Sequence, residues 1–99
     1  MTYEIKATQT FIDVYNSLNG NEKQWIENIK LKLTENPSGK ILKFYWFREK
    51  KYLNKRLYYL IDEDSKRILL VAFASKKDQQ KTIDSVILNM QDLLSLLKN

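Results

Sequence analysis

The sequence predicts an α+β domain in which one small antiparallel sheet carries an N-terminal helical hairpin and a C-terminal helix. Three observations predict it. Two segments with helical apolar spacing, joined by Asn19-Gly20-Asn21, lie in the first third. The stretch Lys40 to Thr82, KILKFYWFREKKYLNKRLYYLIDEDSKRILLVAFASKKDQQKT, contains three strand-like blocks. The last seventeen residues repeat apolar side chains at a helical period. The order strand, helix, helix, strand, strand, strand, helix is that of an α+β fold, with the helices on one face of the sheet and the other face free to present basic residues.

Tyr3 to Ala7 reads as a short strand, with Tyr3, Ile5 and Ala7 on one face. Thr8 or Thr10 can cap a helix in which Phe11, Val14, Tyr15 and Leu18 form one stripe. Asn19-Gly20-Asn21 ends it. Asn21 then starts a second helix with Gln24 three residues on, as in a capping box, and Trp25, Ile26, Ile29 and Leu33 make its apolar stripe. Asn36-Pro37 stops this helix, because a residue before proline avoids helical geometry. So short a connection makes the pair an antiparallel hairpin. A DNA-reading helix-turn-helix is disfavoured, since neither helix has a basic exposed face.

Ile41 to Phe47, Leu57 to Ile61 and Ile68 to Ala74 are the expected sheet strands, the last two joined by a polar turn at Asp62 to Lys66. The aromatic run Phe44 to Phe47 fits a core strand better than a base-stacking platform. From Thr82, a cap, the residues Ile83, Val86, Ile87, Met90, Leu93, Leu94 and Leu97 recur on one side of a single helix. A stripe that large is expected to be covered, either by its own sheet or by a second copy in a homodimer.

At 99 residues the chain fits one domain, residues 1–99, with one core. No apolar run reaches the roughly 20 residues of a membrane span, and MTYEIKATQTF lacks a secretory pattern, so a cytoplasmic protein without membrane contact is expected. The sequence has no cysteine and no histidine. That removes disulfides and Cys-His or Ser-His-Asp catalysis, and leaves zinc only carboxylates, which it rarely accepts. The acids Asp62, Glu63 and Asp64 lack the spacing and glycine of a calcium loop. No metal or cofactor is expected.

Charge placement says more than the net charge of +5. Lys40, Lys43, Arg48, Lys50, Lys51, Lys55 and Arg56 face a single acid, Glu49, within residues 40–56. A second cluster, Lys76, Lys77 and Lys81, follows the last strand. A basic face on a near-neutral body is the footprint of a phosphate- or carboxylate-rich partner. The plainer explanation for Lys50 and Lys51 is a solvated edge that resists strand-to-strand association.

Four blocks, Phe47-Arg48-Glu49, Lys55-Arg56-Leu57-Tyr58-Tyr59, Ile68 to Phe73, and Lys76-Lys77-Asp78-Gln79-Gln80-Lys81-Thr82, together with the element order, resemble the RelE/ParE superfamily of toxins from type II toxin-antitoxin pairs, including its HigB-like branch. The resemblance implies a ribosome-dependent mRNA endonuclease that works without metal, and a cognate antitoxin as partner. It implies that Arg56 and Lys77 hold the phosphate, with Arg48 and Lys76 as catalytic neighbours. Lys43, Lys51, Lys55 and Lys81 would bind substrate, and Tyr58 or Tyr59 would stack a base or donate a proton. Adjacent strand residues face opposite ways, so one of these two tyrosines is expected in the core. Ile83 stands near the place where ribosome-dependent cutters often carry tyrosine or histidine. The alternative is a binder of the same fold, either a ParE-like inhibitor of gyrase or an inactive relative holding RNA or protein.

Overall fold

A computed structural model describes residues 2–99. Five strands, β1 (Glu4–Ala7), β2 (Lys40–Ile41), β3 (Phe47–Tyr52), β4 (Lys55–Asp62) and β5 (Arg67–Ser75), form one sheet in the order β1-β5-β4-β3-β2. The helices are α1 (Gln9–Asn16), α2 (Gly20–Glu35), α3 (Gln79–Leu88) and α4 (Met90–Lys98), with a 3-10 turn at Lys76–Asp78 leading into α3. The sheet is antiparallel except that β1 runs parallel to β5. This follows from its connection, since two helices separate β1 from the remaining strands.

The local signals act where chemistry requires them. Thr8 caps α1 by accepting from the Phe11 N–H at 3.0 Å. The capping box of α2 lies two residues earlier than the sequence suggests. Asn19 accepts from the Glu22 N–H at 2.8 Å, and Glu22 accepts from the Asn19 N–H at 3.2 Å. Glu22 is the better partner because its carboxylate also pairs with Lys55 of β4, a use the neutral Gln24 has no charge to match.

Two differences from the expected strands shape the site. Phe44 to Trp46 form a turn, closed by the Phe47 N–H donating to the Phe44 carbonyl at 3.0 Å, and the strand proper is the basic segment Phe47–Tyr52. The C-terminal apolar segment is two helices that meet at Asn89, whose side chain and N–H both donate to the Ser85 carbonyl.

Both faces of the sheet are covered, where the sequence left one face open. Leu57, Tyr59, Ile61, Ile68, Leu70 and Phe73 pack under α1 and α2 against Phe11, Ile26, Ile29 and Leu33. On the other face Phe47, Tyr58, Leu60, Leu69 and Val71 pack under α3 and α4 against Val86 and Leu97. Burial of each large apolar side chain contributes about 1.5–3 kcal/mol, which gives the terminal helices ample reason to lie on their own sheet. A bulge, where Tyr58 pairs with Ala72 but Tyr59 with Leu70, puts the successive residues Val71 and Ala72 both on the α3/α4 side and returns Phe73 to the other. At the free end of α4, Lys6 donates to the carbonyls of Leu96 and Asn99 at 3.3 and 3.0 Å. A cation there complements the negative end of the helix.

Candidate nucleic-acid interface

Alternation along β3 and β4 sorts the basic residues into two groups. Glu49 and Lys51 pair with Tyr58 and Arg56, and this set shares the α3/α4 side with Phe47 and Leu60. Arg48, Lys50 and Lys55 fall on the opposite side with Tyr59 and Leu57. Lys40 of β2 pairs with Glu49. Lys76 arrives from the end of β5, fixed by its N–H donating to the Asn54 carbonyl at 2.7 Å. The result is a pocket of about 240 Å³ lined by Lys40, Glu49, Lys51, Arg56, Lys76 and Gln79.

Its floor is an ion pair. Arg56 and Glu49 are 8% and 4% exposed, with Arg56 Nε 3.6 Å from Glu49 Oε2. Arg56 Nη1 donates to the Leu53 and Lys55 carbonyls at 3.2 and 2.9 Å, and Gln79 Nε2 donates to both Glu49 oxygens at 3.0 and 3.1 Å. Among the described residues Arg56 Nη2 has no hydrogen-bonding partner, so one edge of the guanidinium is available to a ligand. The lysine side chains around it are exposed.

Tyr58 lies fully buried behind this floor, and among the described residues its hydroxyl has no hydrogen-bond partner. Burial pushes its pKa up to about 12, and the negative charges of Glu49 and Asp78 add to the rise while Arg56 opposes it. Tyr59 is equally buried on the other face, where its hydroxyl donates to the Ser38 carbonyl at 2.7 Å. Burial raises it to about 12 as well, against the pull of Arg48. Neither phenol is thus placed as a surface stacking partner: the two face opposite ways, as expected, but helices cover both sides of the sheet, so the one that was to remain at the surface is core as well.

The remaining residues singled out by sequence divide as follows. Arg56, Lys51 and Lys76 come together. Lys77 is exposed beside Lys76 in the 3-10 turn but does not line the pocket. Arg48 is on the other face, donating to the Tyr45 and Pro37 carbonyls at 2.9 and 3.3 Å and lying 3.8 Å from Glu63. Lys55 pairs with Glu22 and sits 5.4 Å over the Phe73 ring. Lys43 is exposed in the β2–β3 connection, and Lys81 borders a different groove, between β5, the start of α1 and the terminal helices. Sequence reasoning counted Lys40 and Glu49 in the charge balance and Gln79 in a motif block, but gave none of the three a role at the site. The available signal was Glu49 itself, the lone acid in a basic strand, two positions from Lys51 and hence on its face.

Among the described residues no helix is long and apolar enough to cross a membrane, and no three His, Cys, Asp or Glu side chains are grouped to hold a metal. No family model and no curated protein sequence matches the chain. Solved structures do. An arginine-to-alanine double mutant of the E. coli toxin RelE in the free state superposes with a TM-score of 0.71 at 12% identity, over 81% of this chain and 90% of that one. The RelBE2 toxin-antitoxin complex of Mycobacterium tuberculosis gives 0.66 at 18% identity, over 76% and 99%. The archaeal RelE-RelB complex of Pyrococcus horikoshii gives 0.57 at 14% identity, over 76% and 96%. The chain has the RelE fold.

Proposed function

We propose that this chain is the toxin of a type II toxin-antitoxin pair, an endoribonuclease acting on mRNA in the ribosome and neutralised by a cognate antitoxin. The observation that carries this reading is the convergence of Lys40, Lys51, Arg56 and Lys76 on one pocket around Glu49. The RelE fold supports it, because several chains of that fold are toxins held in complexes with RelB antitoxins.

Cleavage here uses the RNA's own 2′-hydroxyl. Glu49, the one carboxylate in the pocket, takes the hydroxyl proton, and the oxygen attacks the adjacent phosphorus. Arg56 Nη2 and the ammoniums of Lys40 and Lys76 hold the phosphorane charge, and Lys51 protonates the departing 5′-oxygen. The products are a 2′,3′-cyclic phosphate and a 5′-hydroxyl end. Lys77, next to Lys76 on the surface, adds to the field that draws the strand in.

The test is induction in a bacterial host with primer-extension mapping of transcripts, beside Lys51→Ala/Lys76→Ala. Both lysines are exposed, so the variant should fold. Ribosome-dependent breaks that drop by 100-fold or so in the variant support the assignment; undiminished breaks remove it. A second reading, a binder that does not cut, is favoured by one observation: no aromatic side chain lines the pocket. Growth arrest with intact transcripts and inhibited gyrase supercoiling would select that reading.

A further inference from the structure

A buried carboxylate and a buried guanidinium ordinarily close into a two-bond fork that cancels both charges. Glu49 and Arg56 do not. Arg56 Nε lies 3.6 Å from Glu49 Oε2, beyond hydrogen-bonding distance, while the Gln79 amide takes both carboxylate oxygens at 3.0 and 3.1 Å. Arg56 is held from its own side by the Leu53 and Lys55 carbonyls. Gln79 opens α3, directly after the 3-10 turn that carries Lys76, so the position of this helix start decides where the carboxylate lies.

We infer that Gln79 is a positioning residue, which holds Glu49 back from Arg56 and thereby keeps the outer guanidinium edge available to a phosphate of single-stranded RNA. Without its amide, Glu49 turns to Arg56, the fork closes, and the pocket loses one of its four cations as a phosphate ligand. The inference rests on the RNA-binding reading of this pocket.

The experiment measures binding of a 2′-O-methyl oligoribonucleotide, which cannot be cut, to the wild type and to Gln79→Met, a variant of similar shape without the amide. Affinity should fall about 10-fold in Gln79→Met, since one charged hydrogen-bonding contact of 1.4 kcal/mol corresponds to a factor of ten. In a Glu49→Gln background, where no carboxylate competes for Arg56, the same substitution should have no effect. A purely structural role for Gln79 would weaken binding in both backgrounds. Thermal melting verifies that the variants are folded, and Gln79→Asn, whose amide is too short to reach Glu49, replaces Gln79→Met if that variant unfolds. Wild-type affinity in the single variant, or an equal loss in both backgrounds, overturns the inference. Lys51→Ala/Lys76→Ala separates the two levels: if it too binds as the wild type, the RNA reading of the pocket fails and this inference with it, whereas weakened binding there with normal Gln79→Met affinity removes only the role of Gln79.

Discussion

The Glu49 carboxylate on β3 and the Arg56 guanidinium on β4 meet diagonally across neighbouring strands, 3.6 Å apart and almost sealed from solvent. Two buried charges so placed are costly to separate. Arg56→Met should destabilise the protein by about 3 kcal/mol, because it leaves a buried carboxylate hydrogen-bonded to the neutral Gln79 amide with no ion-pair partner in contact. Glu49→Leu/Arg56→Met, which removes both charges, should lie within about 1 kcal/mol of the wild type. Urea denaturation of the singles and the double checks this. A double variant as weak as the sum of the singles would mean that the two groups do not act as a pair.

Tyr59 and Gly39 are coupled in a similar way on the opposite face. The Tyr59 hydroxyl donates to the Ser38 carbonyl at 2.7 Å. A Cβ at Gly39 would collide with that hydroxyl and come within 3.0 Å of the Glu49 carbonyl. Gly39→Ala should therefore cost about 1–3 kcal/mol through overpacking, and Tyr59→Phe about 1 kcal/mol through the lost hydrogen bond. Combined, they should cost less than their sum, since deleting the hydroxyl removes the nearest atom of the clash. Strict additivity by thermal or urea denaturation would contradict the contact.

Much of this was legible beforehand. The α+β class, the N-terminal helix pair, the Thr8 cap, the turn at Asp62 to Lys66 and the apolar stripes of the helices all lie in local sequence, where period and capping chemistry operate over a few residues. The basic strand was not legible, because β3 presents charge on both sides. Arg48 and Lys50 find carbonyl and hydroxyl partners on one face, and Glu49 and Lys51 meet Arg56 on the other. No hydrophobic alternation marks such a strand. Arg56 was chosen from sequence, but Lys40 and Gln79, which share its pocket, lie 16 and 23 positions away; Lys40 arrives through strand pairing and Gln79 through the start of α3, where its amide meets Glu49. The break at Asn89 was hidden too, as the apolar period runs unchanged through it.

Alkaline pH should unfold the protein through its tyrosines. Tyr58 and Tyr59 have pKa values raised to about 12 in the fold, against about 10 in the unfolded chain. Their neutral forms support the fold fully below pH 10 or so, and that support is lost as pH rises from there to about 12. The loss should be on the order of 2 kcal/mol per tyrosine, read as a falling urea midpoint. Tyr58→Phe should flatten the profile, and at pH 7 should be neutral or stabilising, because the deleted hydroxyl has no partner. A midpoint independent of pH between 9 and 12 would rule out buried, neutral phenols.

At the tip of the β3–β4 hairpin Leu53 has φ of 51°, a left-handed conformation for an exposed leucine. A side chain there costs roughly 1 kcal/mol, and Leu53→Gly should recover a few tenths of that after the entropy of glycine is subtracted. The same carbonyl accepts from Arg56 Nη1, so Leu53→Val, which disfavours left-handed backbone more strongly, should both destabilise the protein and weaken RNA binding. Equal stability of the glycine and valine variants would argue that the turn carries no such strain.

Salt dependence tests how many phosphates the pocket and its rim engage. Counterion release gives a slope of about −0.7 per neutralised phosphate on single strands, so contacts from Lys40, Lys51, Arg56 and Lys76 bound the slope of log affinity against log salt at roughly −3. Lys51→Ala and Lys76→Ala should each make it shallower by about 0.7 if each meets its own phosphate. Lys55→Ala should leave it unchanged, since Lys55 is committed to Glu22 on the far face. Instead it should cost stability, because the Lys55 ammonium is the main influence holding the Glu22 carboxyl below its ordinary range. That contribution is present above the unfolded carboxyl pKa and is lost as pH falls through the lower folded value, so wild type and Lys55→Ala should converge in stability in acid. A Lys55→Ala slope as shallow as that of Lys51→Ala would show that RNA wraps both faces of the hairpin, and the division of the basic strand into a binding face and a structural face would be wrong.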